Sequence, residues 1–150
     1  MPRLSTDTDL VALFQRIRTV AILGASPRRH RAGYYVPDYL NGQGYRVLAV
    51  NPTEVGSSLF GGPVRATLAE LADLEDPVDV VDVFRRGEHL PGHLEDLLAM
   101  DPRPGCVWLQ LGVHHPAFER AVLDAGLDLI TDLCMLAEHR RLGLPPTRVR

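Results

Sequence analysis

Arg28, Arg29 and Arg31 follow directly on Gly24-Ala25-Ser26-Pro27, and a second basic pair, Arg85-Arg86, follows Phe84. Guanidinium groups are rigid forks of N–H donors that match phosphate and carboxylate oxygens. All 16 basic residues of the chain are arginine. Without lysine, neither a lysine-type P-loop nor Schiff-base chemistry is available. A phosphate site in this chain must combine backbone N–H groups, a helix N-terminus and arginine forks. Gly24 permits a tight turn, Ser26 supplies a hydroxyl, and a helix after the loop would present unused N–H groups. The loop is not the dinucleotide fingerprint, because Ser26 stands at the second glycine position and Gly33 comes several residues later. Its charge exceeds what one pyrophosphate needs, and an additional phosphate would account for the excess.

Further candidates stand where other apolar runs stop. Nicotinamide-binding domains usually carry Asp or Glu at the end of the second strand to accept from ribose hydroxyls. This chain has Asn51-Pro52 there, with Glu54 farther along. A carboxylate would repel a ribose phosphate and Asn51 would not, which disfavours NAD and tolerates NADP. Phe84 can pack on an adenine while Arg85 or Arg86 meets a phosphate. Gln110 and Gly112 put a polar group and a flexible one at another strand end.

Other residue pairs carry less. His89 and His93 have helical zinc spacing, but Pro91-Gly92 lie between them and no third ligand is evident. His114-His115 would reach a ligand phosphate or simply form a turn with Pro116. Cys134, close to a helix N-terminus, is a candidate for a mixed disulfide with a thiol ligand, against the commoner inert buried thiol. Cys106 begins a strand and reads as structural. Asp79 and Asp82 lie at odd separation on a strand, face opposite sides and form no dyad. No Ser-His-Asp order or carboxylate pair argues for catalysis.

The elements that must position these residues follow from periodicity. Thr19 to Leu23 is continuously apolar, as a strand buried on both faces should be. Strands are also expected at Tyr45–Val50, Val78–Phe84, Cys106–Leu111 and Leu127–Ile130. Helices are expected at Thr6–Ile17, with Thr6 and Asp9 spaced as a capping box, and at Tyr35–Asn41, with Pro37 in the first turn. Thr67–Leu74 opens on another capping box. Stripes at Leu90–Leu98 and Phe118–Ala125 and a last helix at Leu133–Arg141 complete the alternation. That alternation predicts an α/β, Rossmann-like, doubly wound parallel sheet of about five strands with helices on both faces. The chain of 150 residues suits one domain, with a core over about 17–142 and a loose tail over 143–150. Its net charge of −3 argues against nucleic acid or an anionic membrane as partner. The first residues show no signal-peptide pattern and no run approaches the ~18 apolar residues that span a bilayer, so the cytoplasm is the expected compartment. In such a sheet, ligands bind beyond the carboxyl ends of the strands where the strand order reverses. The loops Gly24–Gly33, Asn51–Pro63, Arg85–Glu88 and Gln110–Pro116 leave those ends.

Five stretches in this order resemble a known family: Val20–Pro27, Gly44–Pro52, Val78–Arg86, Val107–Gly112 and Asp132–Cys134. The chain is similar to the small stand-alone CoA-binding proteins and to the N-terminal CoA-binding domain of the succinyl-CoA synthetase α subunit. The resemblance implies a Rossmann-like domain that binds coenzyme A. By it, Gly24, Ala25 and Ser26 with the following helix cradle the pyrophosphate, and first-loop arginines, Arg28 and Arg31 among them, meet the 3′-phosphoadenosine. Asn51, Pro52, Phe84, Arg85 and Arg86 would flank the adenosine, and Gln110 to Gly112 would lie towards the pantetheine arm. The synthetase's phosphohistidine domain has no counterpart here, so its activity does not carry over. The expected function is therefore binding of CoA or an acyl-CoA, as a carrier or sensor, with no metal. The alternatives are an NADP-dependent oxidoreductase or redox sensor on the same fold, and an acyl-transfer subunit working with a partner chain. Homo-oligomerisation is open.

Overall fold

A computed structural model of the chain describes residues 3–72 and 74–147. Its frame is a five-stranded sheet in the order β2-β1-β5-β6-β7. β1 is Thr19–Leu23, β2 Arg46–Val50, β5 Val80–Val83, β6 Cys106–Leu109 and β7 Asp128–Ile130. Every pairing in this sheet is parallel. The short strands β3 (Ser58–Leu59) and β4 (Gly62–Pro63) form a separate antiparallel hairpin. Helices α1 (Asp7–Arg16), α2 (Ala32–Gly42), α3 (Pro91–Ala99), α4 (Pro116–Asp124) and α5 (Met135–Arg141) complete the α/β alternation expected of a Rossmann-like fold.

Strand periodicity divides the core in two. Val20, Ile22, Val80, Trp108 and Ile130 pack with Leu10, Phe14, Val36, Leu40 and Met135 of α1, α2 and α5. Ala21, Leu23, Val81, Val107 and Leu109 pack with Leu97, Phe118 and Val122 of α3 and α4. β1 is buried along its whole length because helices cover both faces, which is why its sequence has no polar alternation. Counting the parallel strands alone, the order reverses between β1 and β5. From β1 the chain crosses into α2 on one face, and from β5 into α3 on the other.

The boundaries differ from the periodic reading in instructive ways. The expected strands shorten to their hydrogen-bonded centres, so that Tyr45, Val78, Phe84 and Gln110 lie just outside them. The Thr67 capping box is present but caps only a 3-10 turn, Leu68–Leu71. Helix α2 begins at Ala32 rather than Tyr35, which moves Pro37 out of the first turn and into the helix. Proline has no N–H to donate back four residues, to the carbonyl of Gly33. That carbonyl instead accepts from the Ser26 N–H at 3.1 Å. The helix therefore gives up one internal hydrogen bond and gains one to the loop that precedes it.

Residues of the tail up to Thr147 meet the rest of the fold. Leu144 packs on the core, and the Thr147 N–H donates to the Gln43 carbonyl at 2.8 Å. Its last three positions lie outside the described residues. The two sheet edges are also partly occupied: the Leu4 N–H donates to Leu129 on β7, and the Arg65 N–H to Ala49 on β2.

Two outcomes follow for stability. A Cβ on Gly33 would lie 2.6 Å from the Gly24 carbonyl oxygen, a backbone atom that cannot step aside. Gly33→Ala is expected to lower stability by about 1–3 kcal/mol despite the better helix propensity of alanine, measured by urea denaturation. Asp82 is fully buried on β5, where its Oδ1 accepts from Gln110 Nε2 at 2.7 Å and its Oδ2 has no partner among the described residues. Burial pushes its carboxyl up to about 8 from 3.8, so the fold favours the protonated form. Its contribution is complete below the unfolded value and is lost as pH rises through the folded one. Asp82→Asn should remove a stability loss of up to ~1.4 kcal/mol per pH unit between about pH 4 and pH 8. Denaturation midpoints of the two proteins that fall in parallel across this range would contradict it.

Candidate functional site

The crevice at the reversal is a cleft of about 800 Å³. Three segments supply its walls. The turn after β1 and the first residues of α2 give Gly24, Ser26, Arg28, His30, Arg31, Ala32 and Gly33. The end of β2 gives Asn51, Thr53 and Glu54, and the end of β5 gives Phe84, Arg85, Arg86 and His89. Four guanidiniums thus share this lining with one carboxylate, Glu54. The cleft is cationic although the chain as a whole is acidic.

Its floor is backbone. Gly24 adopts φ +98° and donates its N–H to the Val50 carbonyl at 2.8 Å. A Cβ there would sit 3.0 Å from the Arg85 nitrogen, so glycine lets the ends of β1 and β5 close on each other. Beyond it, Ser26 Oγ accepts from the Arg28 N–H at 3.1 Å and shapes the loop. Arg31 caps α2 without a side-chain hydrogen bond, and no acidic residue stands in the first turn. The Tyr34 and Tyr35 N–H groups return to the Arg31 carbonyl. Those of Ala32 and Gly33 have no acceptor within the helix, which suits an anion.

Asn51 joins the walls. It is buried, and its Nδ2 donates to the Ala25 carbonyl at 2.8 Å. Its Oδ1 accepts from the N–H and hydroxyl of Thr53 at 3.0 and 2.9 Å, and from Arg85 Nη1 at 3.4 Å. Arg85 Nε is buried without a partner among the described residues. His93, one turn into α3, is held below the usual histidine range, first by burial and then by the nearby Arg85 charge.

Of the residues singled out from sequence, Gly24, Ser26, Arg28, Arg31, Asn51, Phe84, Arg85 and Arg86 meet in this one cleft. Ala25, Pro52, Gln110 and Gly112 are not in its lining. Ala25 is buried and acts through its carbonyl, while Pro52 is exposed beside the cleft. Gln110 is buried and turned to Asp82, and Gly112, at φ +78°, donates its N–H to Asp132 Oδ1 at 3.0 Å. Cys134 is the N-cap residue of α5, half-buried against the core, and is likewise outside the lining. His114 pairs at 3.8 Å with Asp132, and His115 Nδ1 caps α4 by accepting from the Phe118 N–H at 3.0 Å. His30, Thr53, Glu54 and His89 were not assigned to the cleft from sequence. All four lie in the polar loops beyond the strand ends, which was the signal available for them.

Residues 18–140 match the family described as the CoA binding domain. The chain is 31% identical over 131 residues to the uncharacterized protein YneT of Bacillus subtilis (strain 168), a match covering 87% of this chain and 92% of that one. Among solved structures it is similar to cell-free ID.343 from Thermus thermophilus, with 46% identity, a TM-score of 0.84, and 92% and 99% of the two chains covered. A hypothetical protein from Pyrococcus horikoshii OT3 shares 28% identity and a TM-score of 0.81 over 93% of this chain and 94% of that one. The family match takes in all five strands of the main sheet and the three loops that wall the cleft: the chain belongs to the CoA-binding domain family.

Proposed function

We propose that this protein binds coenzyme A, free or acylated, in the cleft between β1 and β5, and acts as a cytoplasmic carrier or sensor rather than as a catalyst. One observation carries the reading. Arg28, Arg31, Arg85 and Arg86 converge on a cleft with one carboxylate, at the sheet position where nucleotides bind. The ligand that suits it carries several phosphates, and coenzyme A has three.

In this reading the Gly24–Ser26 turn and the unused N–H groups of Ala32 and Gly33 receive the pyrophosphate. Arg28 and Arg31, exposed on the first loop, meet the 3′-phosphate. Phe84, half-buried at the mouth of β5, offers its ring to the adenine. Asn51 supports the loops and Arg85, and Pro52 borders the adenosine from outside. The pantetheine arm leaves towards Leu111 and Gly112, an exposed stretch next to β6. Gln110 supports that stretch from below through Asp82.

Thermal unfolding with CoA, dephospho-CoA and NADP at matched concentrations tests the assignment. A ligand at 100 times its dissociation constant adds about 2.7 kcal/mol to the folded state. CoA should raise the midpoint most, dephospho-CoA less, and NADP little. A shift with NADP and none with CoA would sink the reading. In the double variant Arg28→Ala/Arg31→Ala, the advantage of CoA over dephospho-CoA should shrink by about tenfold in affinity. An undiminished advantage would move the 3′-phosphate elsewhere in the cleft.

A further inference from the structure

Arg85 is a half-buried cation at the end of β5. Its backbone is pressed against Gly24, so the side chain starts from a fixed point. Nε is buried and donates to nothing among the described residues, and no carboxylate pairs with the guanidinium among them. Arg86 shares its wall, which adds to the positive potential. Among the described residues the Arg85 side chain makes one hydrogen bond, to Asn51 Oδ1 at 3.4 Å. That oxygen has two lone pairs, and Thr53 already engages it with two shorter bonds. The bond to Arg85 is therefore the weakest of the three. It orients the guanidinium without holding it.

We propose that Asn51 is a positioning residue that sets ligand specificity: being neutral, it aims Arg85 into the cleft with its full charge available to a ligand phosphate. This rests on the reading of the cleft as a coenzyme A site. A carboxylate of the same shape at position 51 would meet Nη1 as an ion pair, cancel the charge and repel the phosphate. One atom's difference in a side chain that need not touch the ligand then decides whether the cleft reads phosphate.

Calorimetric titration with CoA, and separately with inorganic pyrophosphate, on the wild type and four variants tests this. Asn51→Asp and Arg85→Gln should each weaken CoA binding by about tenfold or more. Asn51→Ser gives up the hydrogen bond that aims Arg85 yet stays neutral, and should weaken CoA binding less than Asn51→Asp does, by about threefold against about tenfold. Asn51→Ser combined with Arg85→Gln should bind no more weakly than Arg85→Gln alone, because without the guanidinium position 51 has nothing to aim. If Asn51→Ser is as weak as Asn51→Asp, or if the double variant is additive, Asn51 only holds the loops together and the proposal is overturned. Should Asn51→Asp not fold, Arg85→Gln still decides: wild-type affinity in that variant leaves Asn51 no charge to govern. A wild type that ignores CoA but binds pyrophosphate with the same pattern of variants would defeat the coenzyme reading and leave this one standing.

Discussion

At Gly24 four pieces of backbone meet with no side chain between them. Its N–H reaches the end of β2, its Cα lies against Arg85 at the end of β5, and its carbonyl oxygen lies under Gly33 at the start of α2. Only glycine at both 24 and 33 permits that approach. The consequence is a cleft whose base consists of peptide groups, so a phosphate can come close to N–H donors before any side chain intervenes. Pro37 tightens the same junction from a distance, because the carbonyl it leaves unused turns to Ser26.

Charge is laid over this backbone base in two tiers. Arg28 and Arg31 stand on an exposed loop, where solvent screens them and where they are free to follow a mobile phosphate. Arg85 is half-buried and held by the strand end, where a charge interacts more strongly and costs more to leave uncompensated. An acidic chain can carry such a cleft because, Glu54 apart, no carboxylate is in its described lining. Asp7 and Glu138 engage Arg141, and Asp128 engages Arg16, all far from the crevice in the fold.

The Asp82–Gln110 pair beside the cleft is the least economical feature of the core. A carboxyl in the central strand, between Ile22 and Trp108 in the neighbouring strands, is tolerable mainly as the neutral acid. Buried polar pairs of this kind give a core a defined arrangement at some cost in stability. Here the pair anchors Gln110 at the end of β6, just before the exposed Leu111 and Gly112.

Much of this was legible in the residues. The unbroken apolar run at Thr19–Leu23 and the alternation of strand and helix patterns were enough to determine a parallel sheet, and the loops they implied include those that wall the arginine-lined cleft. Those signals are local, and periodicity and turn chemistry act within a few residues. The tertiary structure alone decided what depends on partners far away in sequence. Asn51, which lines the cleft, is also a buried brace, because its amide finds Ala25 and Arg85 only after β1, β2 and β5 are side by side. Gln110, just past β6, turned inward because Asp82 on the neighbouring strand β5 offers it a carboxyl oxygen. Thr147 meets the fold because Gln43 offers a carbonyl at the end of α2. Sequence specifies which groups exist and which local shapes they favour. Which polar group is buried, and against what, is settled by the packing that leaves it no water to bond.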